Sequence, residues 1–420
     1  MMPTLAELFR VFGRIGLLSF GGPAAQIALM HRELVEQRPW LTENQFLRGL
    51  GFCMLLPGPE AMQLATYAGW KQRGIIGGLI GGGLFVLPGA LVIFALAFVY
   101  GAVIGTPVAQ AVFLGVKAAV VAIVIEAILK VAKRALKRRE HWVIAGLAFV
   151  ALFALHLPFP LVIGLAALWG FATTKGADAA PAPSGLRWGP ALRVIAIGGL
   201  IWAAPMALVW LLGQDLLWDL GLFFSKLAVV TFGGAYAVLA YMTQEVVQAY
   251  GWLTTGEMMD GLGLAETTPG PLILVTQFVG ILAGLKEGGW PLGLAGGIMV
   301  LWVTFVPCFI WIFAGAPLIA WLEGRPRLSG ALAAITAAVV GVIANLSLWF
   351  AAHVLFAVVG EVSFGPVRLI APEPMTLNLL ALALTMFAAW ALLWRHWPLP
   401  LVLALAAGLA LIARLIWPVA

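Results

Sequence analysis

A chain of 420 residues has room for two or three soluble domains, but 63% of it is hydrophobic and only 10% is charged, against roughly 25% charged in an ordinary soluble domain. So few charges cannot cover a water-exposed surface, and a mean hydropathy of +1.04 places the chain in lipid. That excludes a cytosolic enzyme, a nucleic-acid-binding domain and a secreted disulfide scaffold, and it turns the net charge of +6 into loop Lys and Arg that set topology.

A helix that crosses the hydrocarbon needs about 20 apolar residues. Near the start, Arg10 and Arg14 interrupt the apolar core that a cleaved signal peptide would require, so none is expected. Stretches 5–35 and 43–70 are each long enough for a helix pair, yet Gly21-Gly22 breaks the first and Pro57-Gly58-Pro59 the second. The runs 75–100, 108–131, 142–155 and 157–173 predict uninterrupted helices. Gly77-Gly78 and Gly81-Gly82-Gly83 give small-residue spacing that means close helix packing, not chemistry. An Ala- and Pro-rich segment follows (174–189), then a single span at 191–212. Stretches 217–247 and 257–283 are again broken, by Gly233-Gly234 and Pro269-Gly270-Pro271. Runs 292–313, 328–353, 376–394 and 399–417 complete the set. Cys53 and Cys308 sit in apolar runs and read as small buried residues, not a disulfide. The five His have no metal-ligand spacing, and no P-loop or nucleophile elbow appears. No metal or cofactor is expected.

The fold class is therefore all-α: a polytopic membrane protein with discontinuous or re-entrant helices at its Gly-Gly and Pro-Gly-Pro motifs. Lys130, Lys133, Arg134, Lys137, Arg138 and Arg139 form the one dense basic cluster, which the positive-inside rule makes cytoplasmic. Counting outward from it puts the Lys71/Arg73 turn and the 174–189 linker inside and the loop around Arg368 outside. The N-terminus is then expected in the cytoplasm and the C-terminus in the periplasm.

The chain is also a tandem duplication. An offset of 212 aligns Phe20-Gly21-Gly22 with Phe232-Gly233-Gly234, Glu33 with Glu245, and Trp40-Leu41-Thr42 with Trp252-Leu253-Thr254. The same offset aligns Pro57-Gly58-Pro59 with Pro269-Gly270-Pro271, and 17 of 40 residues match without a gap. After a short insertion Pro88 meets Pro307. This divides the chain into an N-terminal repeat (1–174), a cytoplasmic linker (175–190), a connecting helix (191–212) and a C-terminal repeat (213–420). The charge map puts matched loops on opposite sides, so the repeats are expected to be inverted, an arrangement typical of secondary transporters with a midplane site between the halves.

Pro-Gly-Pro cannot continue a helix. It opens a helix N-terminus, whose free N–H groups and partial positive charge suit an anion. The candidate substrate-binding residues are accordingly Gly21, Gly22, Gln26, Pro57, Gly58, Pro59 and Gln63 in the first half. Gly233, Gly234, Thr267, Thr268, Pro269, Gly270 and Pro271 are their counterparts in the second. Arg14 and Lys226, paired by the offset, would neutralise a dianion, or else snorkel to headgroups. Glu60 and Glu266 flank the two Pro-Gly-Pro motifs and are candidates for proton coupling or gating. Glu126 and Lys117, within one span, read as structural.

These motifs are familiar. Phe20-Gly21-Gly22-Pro23-Ala24-Ala25-Gln26 through Glu33, and Leu55-Leu56-Pro57-Gly58-Pro59-Glu60-Ala61-Met62-Gln63 through Tyr67, resemble the signatures of the chromate ion transporter family. The second half repeats them in Phe232-Gly233-Gly234 and Gly261-Leu262-Gly263-Leu264-Ala265-Glu266-Thr267-Thr268-Pro269-Gly270-Pro271. The resemblance covers nearly the whole chain and is to the long, two-domain members. It implies export of chromate through the bacterial inner membrane, driven by the proton motive force, with sulfate as a related ion and lipid as the surroundings. The alternative is a proton- or sodium-coupled sulfate or oxyanion importer. A membrane-embedded enzyme and a channel are rivals from other classes, and no nucleic-acid partner is expected. The Gly-rich faces are compatible with a homodimer and equally with internal packing.

Overall fold

The computed structural model describes residues 3–20, 22–174, 188–232, 235–316, 325–365 and 367–416. It is built from fifteen helices and one hairpin among the described residues. The first half runs α1 (Leu5–Leu18), α2 (Gly22–His31, extended by a π-turn over Arg32–Glu36), α3 (Glu43–Cys53), α4 (Glu60–Val103), α5 (Pro107–Ala135), α6 (Arg139–Phe153) and α7 (Phe159–Thr173). Then come α8 (Trp188–Leu211), α9 (Asp215–Val230), α10 (Ala235–Gln244, with a π-turn over Glu245–Ala249), α11 (Thr255–Thr267), a 3-10 turn (Leu272–Leu274) and α12 (Val275–Gly315). The chain ends in α13 (Pro326–Leu355), β1 (Val359–Phe364), β2 (Val367–Pro372), α14 (Leu379–Ala389) and α15 (Leu399–Ile416). Among the described residues, α4, α5, α8, α12, α13 and α15 are long and apolar enough to cross a membrane. The all-α, multi-pass membrane class expected from composition is the one observed.

The helix boundaries follow from local chemistry. Thr4 starts α1 in a capping box with Glu7, and Thr42 starts α3 in the same way with Gln45. Thr254 and Glu257 exchange the equivalent bonds ahead of α11. Thr106 caps α5, with Pro107 in its first turn. In the four stretches read as broken, α1 and α2, α3 and α4, α9 and α10, and α11 and α12 are separate elements, with Pro57-Gly58-Pro59 between α3 and α4 and Pro269-Gly270-Pro271 between α11 and α12.

Contacts divide the chain into two units that interleave along it. The first comprises Met1–Phe98, Lys175–Ala235 and Thr268–Ser329. In it α12 packs on both α8 and α9. Helix α4 is a tight hairpin, turning where Arg73 and Gly74 leave helical geometry (Gly74 φ 58°). Its arms close through glycine: a Cβ on Gly69 would lie 2.1 Å from the carbonyl oxygen of Gly77, and one on Gly81 would lie 2.4 Å from that of Ala65. Helix α12 repeats the device, turning at Gly288 and Gly289 and closing through Gly280 and Gly296. The glycine runs are packing surfaces, as their spacing predicts. The leading arm of α4 (60–72) rises about 20 Å at 1.5 Å per residue, short of the ~30 Å hydrocarbon core. By contrast α8 carries exposed Leu192, Ile195, Leu200, Leu208, Trp210 and Leu211, the dress of a lipid-facing helix.

The second unit comprises Val99–Thr174, Tyr236–Thr267 and Gly330–Ala420. Helix α5 is its axis, with α15, α14 and α11 packed around it. Gly115 admits the backbone of α15 at Ala406, and Gly341 of α13 admits that of α6 at Ala145. The antiparallel hairpin β1–β2, in register from Val359↔Pro372 to Phe364↔Val367, stands where the sequence suggested only an external loop around Arg368. The alternation of Glu361 and Ser363 with Val362 and Phe364 is a short-strand signal that the long apolar runs on either side overshadow.

Candidate functional site

The first unit brings both Pro-Gly-Pro turns together with the ends of α1 and α9. Gly58 has φ 115° and Gly270 φ 92°, conformations open to glycine and strained for any other residue. Helix α1 ends at Ser19 and α9 at Thr231, and both hydroxyls bond back one turn, to the carbonyls of Ile15 and Leu227. The carbonyl of a C-terminal residue has no partner within its own helix. Here the Gly58 N–H donates to the Thr231 carbonyl at 2.8 Å, and the Gly270 N–H donates to the Ser19 carbonyl at 2.8 Å.

Under the offset of 212, Gly58 maps onto Gly270 and Ser19 onto Thr231. Each turn is therefore bonded to the helix end belonging to the other half, and the two bonds are reciprocal. The long helices follow the same rule. A Cβ on Gly89 of α4 would sit 2.0 Å from the Pro269 carbonyl oxygen, and a Cβ on Gly58 would sit 2.9 Å from Cys308 Sγ of α12. Gly89 and Cys308 each follow the matched prolines Pro88 and Pro307.

Buried polar side chains complete the centre. Gln26 of α2 (2% exposed) donates from Nε2 to the Gly270 carbonyl at 2.7 Å and to Ser19 at 3.3 Å. Gln63 of α4 donates to the Pro57 carbonyl at 2.7 Å and Gln277 of α12 to that of Ala90 at 3.0 Å. The side-chain oxygens of Gln63 and Gln277 take no hydrogen bond from the described residues. A buried acceptor left so costs about 1–3 kcal/mol. Thr268 is buried beside its turn. Gly22 opens α2 at φ 80°, whereas Gly21, Gly233 and Gly234 lie outside the described residues.

The charged candidates are spread more widely. Arg14 is exposed on α1 and makes an ion pair with Glu33 at 3.8 Å, while Glu33 is buried and also bonded to Arg38. Lys226 is exposed on α9, and Glu60, half-buried, is the first residue of α4. Glu266 (buried) and Thr267 end α11 in the second unit, Thr267 donating to the Leu264 carbonyl. Glu126 pairs with Lys130 one turn on, at 2.7 Å. Lys117 pairs instead with Asp260. Neither Asp260 nor the helix-ending Ser19 and Thr231 stood out in the sequence. A signal for the last two was present, since a hydroxyl residue precedes Phe-Gly-Gly in both halves. Cys53 and Cys308 are buried and form no disulfide, and the Cys308 thiol donates to the Thr304 carbonyl at 3.6 Å. No cluster suited to a metal occurs among the described residues.

The fold defines a multi-pass membrane protein, one of whose units holds two bonded Pro-Gly-Pro turns. The family model for chromate transporters matches residues 6–171 and 218–412, and the chain belongs to that family. A chromate transport protein of Pseudomonas aeruginosa is 33% identical over 347 residues, covering 80% of this chain and 79% of the relative. One from Cupriavidus metallidurans is 32% identical over 343 residues, 81% of each chain. A probable chromate transport protein of Synechococcus elongatus is 30% identical over 351 residues, 81% of this chain and 83% of its own. No solved structure matches.

Proposed function

We propose that this protein exports chromate across the bacterial inner membrane by alternating access of two inverted repeats, driven by the proton motive force. Family membership supports the substrate. The observation that carries the mechanism is the reciprocal bonding of the two Pro-Gly-Pro turns. It couples the halves at the point where each opens a helix N-terminus, so a change at one turn is felt by the other half. The N–H groups at the start of α4 and of the Leu272–Leu274 turn, with the Gly-Gly breaks, would receive the anion oxygens. Arg14 and Lys226 would supply compensating charge, and Glu60 and Glu266 would gate with protonation.

The energetics suit export. Moving a dianion out of a cell that is negative inside releases roughly 4.6 kcal/mol at 100 mV, at about 2.3 kcal/mol per charge. Import of the same ion would need at least two compensating cations to break even.

The test is uptake of labelled chromate into inverted membrane vesicles, energised or not, with and without excess sulfate. Uptake abolished by an uncoupler and competed by sulfate is expected. Flux in the opposite direction that requires protons or sodium would instead identify an importer. Unchanged transport and anion affinity in both Arg14→Ala and Lys226→Ala would remove the two cations from the site.

A further inference from the structure

The second unit holds a buried charge cluster that the proposed anion site leaves unused. Asp260 of α11 is 1% exposed. Its Oδ2 accepts a hydrogen bond from the Tyr100 hydroxyl at 2.8 Å. Its Oδ1 lies 3.2 Å from Lys117 Nζ of α5, within ion-pair distance but not aligned as a hydrogen bond. Lys117 keeps 24% of its side chain exposed, so the pair is buried at the carboxylate and open at the lysine. Gly256 makes the room: a Cβ there would stand 3.3 Å from Lys117 Nζ.

An ionisable pair in apolar surroundings has a high cost and needs a reason. The surroundings here are apolar. Phe113 stacks edge-on against Tyr100 at 5.0 Å, and Val116 fills the space in front of Gly263. The groups that face Asp260 are Lys117 from α5, Tyr100 from the end of α4, and Glu257 one turn earlier on α11, itself bonded to Thr254. Helix α15, which also packs on α11, has Arg414 in its last turn as its sole ionisable residue. The contrast with Glu126–Lys130, an i,i+4 pair on one helix, is plain. Asp260 and Lys117 join two helices, so the charge state of one carboxylate alters how firmly α5 and α11 are held together.

We infer that Asp260, clamped by Lys117 and Tyr100, is the proton-binding switch of the transport cycle. The inference rests on the proton-driven reading above and adds a titrating group, in the second unit, to the gating carboxylates Glu60 and Glu266. With Asp260 ionised, the pair locks α11 to α5. When a proton adds to Oδ1, the ion pair is lost, the lysine charge is left without its partner and the hold of α5 on α11 loosens. The chain passes from α11 straight into Thr268 and the second Pro-Gly-Pro turn, and this covalent link is the route by which protonation would reach that turn.

Inverted vesicles test it with labelled chromate, measured both as energised uptake and as unenergised counterflow, with membrane levels checked by immunoblot. Wild-type uptake must respond to an uncoupler; if it does not, the proton-driven reading fails and not this assignment. Given that response, Asp260→Asn is expected to reduce energised uptake to the uncoupled background while counterflow persists, and Asp260→Glu to restore part of it. Tyr100→Phe and Lys117→Gln each remove a group that favours the carboxylate, so each should move the pH profile of uptake to higher pH, Lys117→Gln by more. If Asp260→Asn keeps uncoupler-sensitive uptake with the wild-type pH profile, the inference is overturned. Loss of counterflow at normal membrane level would overturn it equally. Should Asp260→Asn not reach the membrane, unshifted pH profiles in Tyr100→Phe and Lys117→Gln would do the same.

Discussion

The two Pro-Gly-Pro turns share one pattern and are held by different means. The second, at 269–271, is buried throughout and has backbone among its closest neighbours: the Pro269 carbonyl rests where Gly89 has no side chain, and the carbonyl of Phe85, level with the Leu274 side chain, lies 3.3 Å from a Cβ on Gly270. The first, at 57–59, is half-buried at its prolines and closes on side chains, Cys308 Sγ and Gln63 Nε2. Backbone cannot yield without moving a helix, whereas a thiol and an amide can change rotamer. Duplication thus produced one rigid turn and one adjustable turn, and the adjustable one lies nearer the surface.

Substitutions can break or sharpen that contrast. Gly89→Ala has the largest expected effect, because its methyl would meet a main-chain oxygen at 2.0 Å. A loss at or above the top of the about 1–3 kcal/mol range for overpacking is predicted, read as a fall in melting temperature of the purified protein. Gly270→Ala should follow. It combines a strained φ of 92°, worth about 1–3 kcal/mol, with the nearby Phe85 carbonyl. Gly58→Ala carries the same backbone strain against movable neighbours and should cost less than Gly270→Ala by the same measurement. An equal cost would erase the distinction between the turns. Gln26→Leu, which strips the amide from the Gly270 carbonyl, should cost about 1–2 kcal/mol. Cys308→Ala should cost about 1 kcal/mol and leave transport intact.

The smallest effect concerns pH and only the first half. His31, whose ring nitrogens contact Glu36 at 3.0 Å and Glu43 at 2.7 Å, lies in a charged turn outside the six long spans. Its pKa is raised, chiefly by the hydrogen bond to Glu43. A raised folded pKa contributes stability below the ordinary imidazole value and loses it as pH climbs through the raised one. Melting temperature measured from about pH 6 to about pH 9 should therefore fall slightly more in wild type than in His31→Gln. The equivalent position in the second half is Thr243, which has nothing to titrate.

Much of this architecture could be read before any coordinates. Gly-Gly and Pro-Gly-Pro act on the backbone locally, so the four broken stretches were visible in one dimension, as was their recurrence. The partner of each turn was not visible, because bonds such as Gly58 to Thr231 join distant segments and follow from packing. The same limit hid Asp260, whose partners Lys117 and Tyr100 lie in the other half of the chain. Arg14 was legible as a cation, but its neighbour Glu33, buried between two arginines, was legible only as a repeated motif residue. The β1–β2 hairpin carried a short alternating signal between long apolar helices, and composition there pointed elsewhere.

The central claim is that both turns, one rigid and one adjustable, form a single oxyanion site. Equilibrium binding of labelled chromate to the purified protein tests it most directly, comparing wild type with Gly58→Ala and Gly270→Ala. One site per chain is predicted, displaced by sulfate and weakened by either substitution although the two glycines belong to different halves. Unchanged chromate affinity in both variants, in protein that melts as a folded species, would contradict it.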